Sequence, residues 1–345
     1  MVQGFEVIVQ LLPLLLLTFG VAAAATGILV RFSSHAAVMD LPNERSLHRI
    51  PTPRGGGLSI VLAFLLAVAF VVQIATPPLG WQALVVGGLM IACVGWLDDR
   101  YSLSAKSRLF IHLLSSGILM FGIYQGRISG DLGLISFGST TLAIALGTLM
   151  AAWFVNFYNF MDGSDGIAAV EAITVGTVWG CLAFSRGELA LAGFSWIVAS
   201  AAAGFMIFNW SPAKIFMGDV ASGFLGFCFV GIFLFGDRSG AVPLSAGLIL
   251  MGCFIVDSGY TLVRRALRGE NVAQAHRDHA YQHACQMGFG HKGVALWTLA
   301  INLIWLSPLA WCAVQFQQWR YLILVVAYLP LIAIAYRFRA GRELS

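Results

Sequence analysis

The chain has 345 residues, of which 59% are hydrophobic and 10% charged, with a mean hydropathy of +0.84 and a formal net charge of +4. A soluble domain carries about 25% charged residues, so this composition excludes a soluble globular protein and indicates an all-α integral membrane protein. No basic tract points to nucleic acid as a partner.

A helix needs about 20 apolar residues to cross a bilayer. Eleven apolar runs meet this, near 5–31, 57–75, 81–97, 108–124, 140–157, 167–184, 189–208, 220–236, 243–262, 293–315 and 320–336. They lack the two-residue alternation of barrel strands, which excludes a closed barrel. The first run has no basic n-region and no A-x-A site, and reads as a retained span. Five of the six cysteines lie inside apolar runs with no metal or disulfide spacing, and read as small buried hydrophobes. The whole chain, 1–345, reads as one polytopic bundle without internal repeats.

Lys and Arg set the orientation. With the N-terminus outside and the C-terminus inside, sixteen of the 20 basic residues fall on the inner side. Outer connections such as "TPPLG" and "QQW" are short. The inner loops, near 32–56, 98–108, 157–166, 209–219 and 263–292, are longer and richer in unusual residues. Function is expected on that face.

The first inner segment, "DLPNERSLHRIPTPRGGG", is held out of a regular helix by its prolines and glycines. Arg45, His48, Arg49 and Arg54 make it cationic. It reads either as an ordinary positive-inside loop or as a phosphate cradle of glycine amides beside arginines. In the second, "GWLDDRYSLSAKSR", Asp98 and Asp99 end a span, against the helix macrodipole, with Lys106 and Arg108 close by in sequence. Cations or a bound metal would relieve that conflict.

The third segment, "NFYNFMDGSDG", places Asn156, Asn159, Asp162 and Asp165 three residues apart. Each helical residue advances by about 100°, so three such steps turn the face through half a circle. A break at Gly163 and Gly166 is therefore expected. In the fourth, "NWSPAKIFMGDVASG", Asp219 suits either the N-cap of a span or a hard ligand for a divalent cation. The fifth, "RRALRGENVAQAHRDHAYQHACQMGFGHKG", spaces His276, His279 and His283 for one helical face and adds Arg277, His291 and Lys292. It suits pyrophosphate, zinc or an interfacial helix on anionic lipid. Asp257 and Glu171 lie inside predicted spans, where they either face a polar cleft or pair within the bundle.

Five inner aspartates among arginines and histidines suit magnesium and a polyphosphate. In order, "PNERSLHRIPTPRGGG", "DDRYSLSAKSR", "NFYNFMDGSDGIA" and "PAKIFMGDVASGFLG" resemble the polyprenyl-phosphate N-acetylhexosamine-1-phosphate transferases. That family includes the phospho-N-acetylmuramoyl-pentapeptide transferases and the enzymes that initiate O-antigen synthesis. The likeness runs from about residue 40 to 292.

The resemblance implies a ten- or eleven-span fold in the bacterial inner membrane with its site facing the cytoplasm. The implied reaction moves a sugar 1-phosphate from a UDP-sugar to undecaprenyl phosphate and releases UMP. Magnesium is the implied cofactor, with manganese as the alternative, and a homodimer is the implied assembly. Asp219 would be the metal ligand, with Asp99 and Asp162 beside it, and Asp98 would orient or deprotonate the lipid phosphate. Asn156, Asn159, Asp162 and Asp165 would lie near nucleotide and metal. Phe216 would stack on uracil, and Asn209 would help bind uridine. Arg45, His48, Arg54, Lys106, Arg108 and Arg277 would hold phosphate oxygens, with catalytic positions at His276 and His279. Transfer could be direct or pass through an Asp-phosphosugar. The stretch "AHRDHAYQHA" departs from the tight histidine run of the muramoyl-pentapeptide enzymes and favours a sugar without a peptide. The competing reading is a secondary transporter. Such proteins show internal repeats and sites at the midplane, whereas these acids cluster at one face.

Overall fold

The computed structural model describes residues 2–36, 39–42, 47, 50–125, 130–131, 136–137, 139–272, 274 and 276–342. Long helices follow from the apolar runs, because a chain in lipid must satisfy its backbone polar groups internally. The first are α1 (Val2–Ala36), α2 (Leu58–Ile74), α3 (Trp81–Tyr101) and α4 (Ala105–Tyr124), with the short strands β1 (Met39–Asp40) and β2 (Thr52–Pro53) paired antiparallel between α1 and α2. A second two-residue ladder, β3 (Gly130–Asp131) with β4 (Ser136–Phe137), precedes α5 (Thr140–Phe160). Then come α6 (Ile167–Ser185), α7 (Leu189–Asn209), α8 (Asp219–Ser239), α9 (Leu244–Leu250) and α10 (Gly252–Leu267). The chain closes with α11 (Ala280–Ala284), α12 (Gly290–Ile301), α13 (Ser307–Gln315) and α14 (Arg320–Arg337).

All eleven apolar runs fall on helices. Among the described residues nine helices are long and apolar enough to cross a membrane, and ten if a bent pair counts as one span; α2 has 17 residues. The sequence reads 243–262 as one span. The structure bends it by 78° between α9 and α10.

The centre of the bundle is α8, whose residues from Val220 to Gly236 are all buried. A helix apolar all round belongs in a core. Small residues let neighbouring backbones approach it closely. A Cβ on Gly95 of α3 would run into the Asp219 carbonyl, and one on Gly226 of α8 would meet the Phe154 carbonyl of α5. These contacts draw the end of α3 and the start of α8 to one place. The functional side chains gather there. All six cysteines are free.

Candidate active site

The site is built where helices end and others begin. Helix α5 stops at Phe160 and α6 starts at Ile167, with Gly166 at φ +76° between them. The break expected from the Asn/Asp spacing is present. It turns Asp162 and Asp165 towards the cavity described below, while Asn156 stays on α5 and donates to its own helix at Ala152 O, 2.7 Å away. Asn159 Oδ1 accepts from Ser222 Oγ of α8 at 3.0 Å. Asp165 Oδ2 accepts the Ala213 N–H at 3.1 Å. Asn209, almost fully buried, has both ends of its amide engaged: Oδ1 takes the Gly166 N–H at 3.0 Å and Nδ2 donates to Ile215 O at 2.9 Å. It ties the α5–α6 break to the loop that leads into α8.

The acid pair of α3 divides its work. Asp98 Oδ1 accepts the Leu103 N–H at 2.6 Å, and Oδ2 pairs with Arg108 Nη1 at 2.6 Å. The same Arg108 nitrogen reaches Asp219 Oδ2 at 3.2 Å. Asp99 accepts two backbone N–H groups, those of Asp219 at 3.1 Å and Val220 at 3.3 Å. The side chain that caps α8 is thus Asp99, from another helix. Asp219 opens the helix and makes no side-chain cap, which corrects the N-cap reading of that residue.

The glycine run also differs from its reading as a phosphate cradle. Gly56 and Gly57 donate their N–H groups to Phe216 O and Met217 O at 3.0 and 2.9 Å, and Phe216 N–H donates to Pro53 O at 2.8 Å. The segment is pinned to the loop before α8. Arg54 remains beside the cavity and forms an ion pair with Asp40 at 2.9 Å. Arg45, His48 and Arg49 lie outside the described residues.

A cavity of about 270 Å³ opens among these elements. Of the residues singled out from sequence, Arg54, Asn159, Asp162, Asp165, Asn209, Phe216 and Asp219 line it. Asp98, Asp99 and Arg108 stand directly behind Asp219. Asn156, Lys106, Arg277, His276 and His279 are not in the lining. Sequence reasoning passed over Asp40, Ser164, Tyr281 and Gln282, and named His291 only among the basic and imidazole groups of the fifth segment; all five line the cavity.

The fifth segment is not one helix. It takes in the end of α10, the five residues of α11, a π turn at Cys285–Phe289 and the start of α12; His279 lies just before α11 and His276 in irregular chain, so the expected shared helical face is absent. His276 and His279 instead stack, with ring centroids 4.9 Å apart. Asp257 anchors α11 by accepting the Ala280 and Tyr281 N–H groups, each at 2.9 Å, and His279 Nδ1 lies 3.4 Å from its Oδ1. His283 Nδ1 meets Phe338 O at 2.7 Å. Asp257 therefore pairs within the bundle. So does Glu171, whose Oε2 accepts from Asn302 Nδ2 at 2.6 Å.

Burial, reinforced by the charges of Asp219 and Asp99 and opposed by Arg54, raises the Asp162 carboxyl well above the usual carboxylate range. Asp40, Asp162, Asp165 and Asp219 line the cavity against Arg54, so among its described residues carboxyl groups outnumber the one arginine, as suits a cation-binding site. The carboxyl groups offer oxygen donors, which suit magnesium better than a soft metal. Among the described residues no group of three or more His, Cys, Asp or Glu side chains is gathered to hold an ion alone. Magnesium is commonly held by one or two carboxylates and completed by substrate phosphates.

Residues 81–237 match the model of glycosyl transferase family 4. Over 286 residues the chain is 30% identical to a probable undecaprenyl-phosphate N-acetylglucosaminyl 1-phosphate transferase of Bacillus subtilis, covering 81% of this chain and 78% of that protein. It is 28% identical to a decaprenyl-phosphate N-acetylglucosaminephosphotransferase of Mycobacterium leprae, over 79% of this chain and 76% of the relative. A phospho-N-acetylmuramoyl-pentapeptide-transferase of Streptococcus thermophilus is 29% identical over 53% of this chain and 58% of its own.

Proposed function

Because the chain belongs to glycosyl transferase family 4, we propose that it transfers a sugar 1-phosphate from a UDP-sugar to undecaprenyl phosphate, releasing UMP. The sugar is an N-acetylhexosamine or a deoxy-amino sugar. The names of the Bacillus and Mycobacterium relatives support N-acetylglucosamine as the first donor to try. The step would begin O-antigen or another cell-envelope polysaccharide. The site would face the cytoplasm from the inner membrane, a reading supported by the sixteen of 20 basic residues on that side.

In the reaction an oxygen of the lipid phosphate attacks the β-phosphorus of the UDP-sugar. The new P–O bond forms as the bond to the bridging oxygen breaks, and UMP leaves with that electron pair. Such transfers rest on positioning and charge neutralisation. Magnesium held by Asp162 and Asp219 would offset the charge of the pyrophosphate and the leaving group. Arg54 is placed to take a phosphate oxygen once its pairing with Asp40 is exchanged for the ligand. Arg108, fixed by Asp98, holds Asp219 in place. Phe216 offers a ring at the cavity wall for the uracil.

The observation that carries this reading is the convergence of Asp162, Asp165 and Asp219 on one cavity facing Arg54. The test gives the purified full chain undecaprenyl phosphate, magnesium and a panel of UDP-sugars, and measures UMP. One sugar should release UMP, and EDTA should stop it until magnesium is restored. No release with any UDP-sugar, at a verified fold, would overturn the proposal.

A further inference from the structure

Glu171 is fully buried in α6, at a depth where a carboxyl group is costly unless it is paired. Its Oε2 accepts from Asn302 Nδ2 at 2.6 Å, and the same Nδ2 donates to Thr174 Oγ1 at 2.8 Å. Two buried oxygens of this group are left over: Glu171 Oε1 and Asn302 Oδ1 have no partner among the described residues. Both orphans are acceptors unless one carries a proton. A proton on Oε1 would let it donate to Asn302 Oδ1 and close a two-bond ring between acid and amide. That single proton would satisfy both oxygens, each of which is otherwise left buried without a partner, a costly state.

The helix is altered where this pair sits. Between α12 and α13 the residues Asn302–Leu306 form a wider π turn, and Ser307 Oγ donates to Asn302 O at 2.6 Å. Such turns insert one residue and re-aim a side chain, and they are frequent at functional sites. Both clamped helices begin at the cavity. Ser164 and Asp165 lie just before α6, with Gly166 between, and His291 is the second residue of α12. His291 Nδ1 lies 3.0 Å from Ser164 Oγ and takes the Asp165 N–H at 3.2 Å. With Nδ1 accepting, the ring proton sits on Nε2 of a side chain that lines the cavity.

We propose that Glu171 is a positioning residue for the transfer reaction: through an acid–amide clamp on Asn302 it fixes the register of α6 against α12, and so holds His291 on Ser164 and Asp165 with its Nε2–H offered to a phosphate oxygen of the bound nucleotide sugar. The role of His291 as donor rests on the transferase reading above. The clamp itself does not. Glutamine at this position reproduces the ring without a dissociable proton, since its Nε2 donates to Asn302 Oδ1 while its Oε1 accepts from Asn302 Nδ2. Leucine keeps much of the volume and removes both bonds.

The experiment has two arms. In the first, UMP release is measured for Glu171→Gln, Glu171→Leu, His291→Asn and the double variant Glu171→Leu/His291→Asn. Glu171→Gln should stay within twofold of the parent. Glu171→Leu should lose at least tenfold in kcat, and the double variant should be no slower than His291→Asn. Losses that multiply in the double variant, or a Glu171→Gln as slow as Glu171→Leu, would overturn the proposal. Should Glu171→Leu fail to fold, Asn302→Leu takes its place with the same expectations. The second arm needs no turnover. The pair Ser164→Cys and His291→Cys, in a Cys285→Ala background, should cross-link readily both with the native Glu171 and in Glu171→Gln, and at least fivefold more slowly in Glu171→Leu. Equal cross-linking rates would dispose of the clamp whatever the enzyme's substrate proves to be.

Discussion

Asp99, in the last turn of α3, takes the N–H of Asp219, the first residue of α8, at 3.1 Å. The two are 120 positions apart in sequence. An acid at a helix C-terminus is poorly placed against its own macrodipole. Here that acid is spent on the N-terminus of a neighbouring helix, where negative charge is favoured, while Asp98 beside it is neutralised by Arg108. One acid pair therefore aims α8 and, through Arg108, restrains the Asp219 carboxylate on the cavity wall.

Asparagine at either end of this relationship separates structure from chemistry. Asp99→Asn keeps one acceptor and loses the charge, so we expect a stability loss of about 1 kcal/mol or less. Turnover should nevertheless fall strongly, because the start of α8 is capped by one bond from this side chain where it had two. Asp219→Asn removes a charge from the cavity itself and should cost about 100-fold or more in kcat, the scale of lost electrostatic stabilisation. UMP release and thermal unfolding in detergent measure the two effects. Near-normal rates in both variants would refute the site.

Gly218 should be just as sensitive. Its φ of +77° and ψ of 169° lie in a region essentially reserved for glycine, and an added Cβ would run into the Asp99 carboxylate. Gly218→Ala should cost about 1–3 kcal/mol of stability from backbone strain, and should weaken turnover further by displacing Asp99. A thermal midpoint equal to that of the parent would show that the turn relaxes freely.

Much of this was legible in the sequence. Apolar run length located every long helix, and the three-residue spacing from Asn156 to Asp165 demanded the break that the structure contains. What the sequence did not reveal were relationships across the bundle. The spacing of Asp99 and Asp219 carries no hint that one caps the other. The histidine spacing suggested a helix, but Asp257 anchors the chain at Ala280 and leaves His276 outside it. The glycine run looked like a phosphate cradle until two of its amides were seen to be occupied by Phe216 and Met217. Glu171 looked equally like a cleft acid and a buried partner, because Asn302 lies 131 positions away.

Arg108 bridges Asp98 and Asp219, so the three should behave as a unit. Residues that share one network show coupled, non-additive effects. Asp98→Ala and Arg108→Ala should each lower kcat, by about tenfold to 100-fold given that each acts through Asp219, and the double variant should be little slower than the worse single one. Full additivity in kcat would mean that Asp98 acts on the lipid phosphate independently of Arg108. The cycle thus distinguishes an acid that fixes an arginine from an acid that touches substrate.

The last expectation concerns pH and the long loop before α11. Burial, together with the neighbouring His279 and Arg265, lowers the His276 imidazole from 6.5 to about 4, against the opposing pull of Asp278 and Asp257. The ring is therefore neutral at pH 7 in the folded protein. Between about pH 6.5 and 4 the unfolded chain binds a proton that the folded chain does not. Acid then favours unfolding. The contribution of this residue is intact above pH 6.5 and is lost progressively as the pH falls towards 4. Comparing thermal midpoints at pH 7.5 and pH 5 for the parent and His276→Gln should show a smaller acid-induced drop in the variant, since glutamine has no proton to take up. A drop of equal size in both proteins would mean that the His276–His279 stack does not resist protonation.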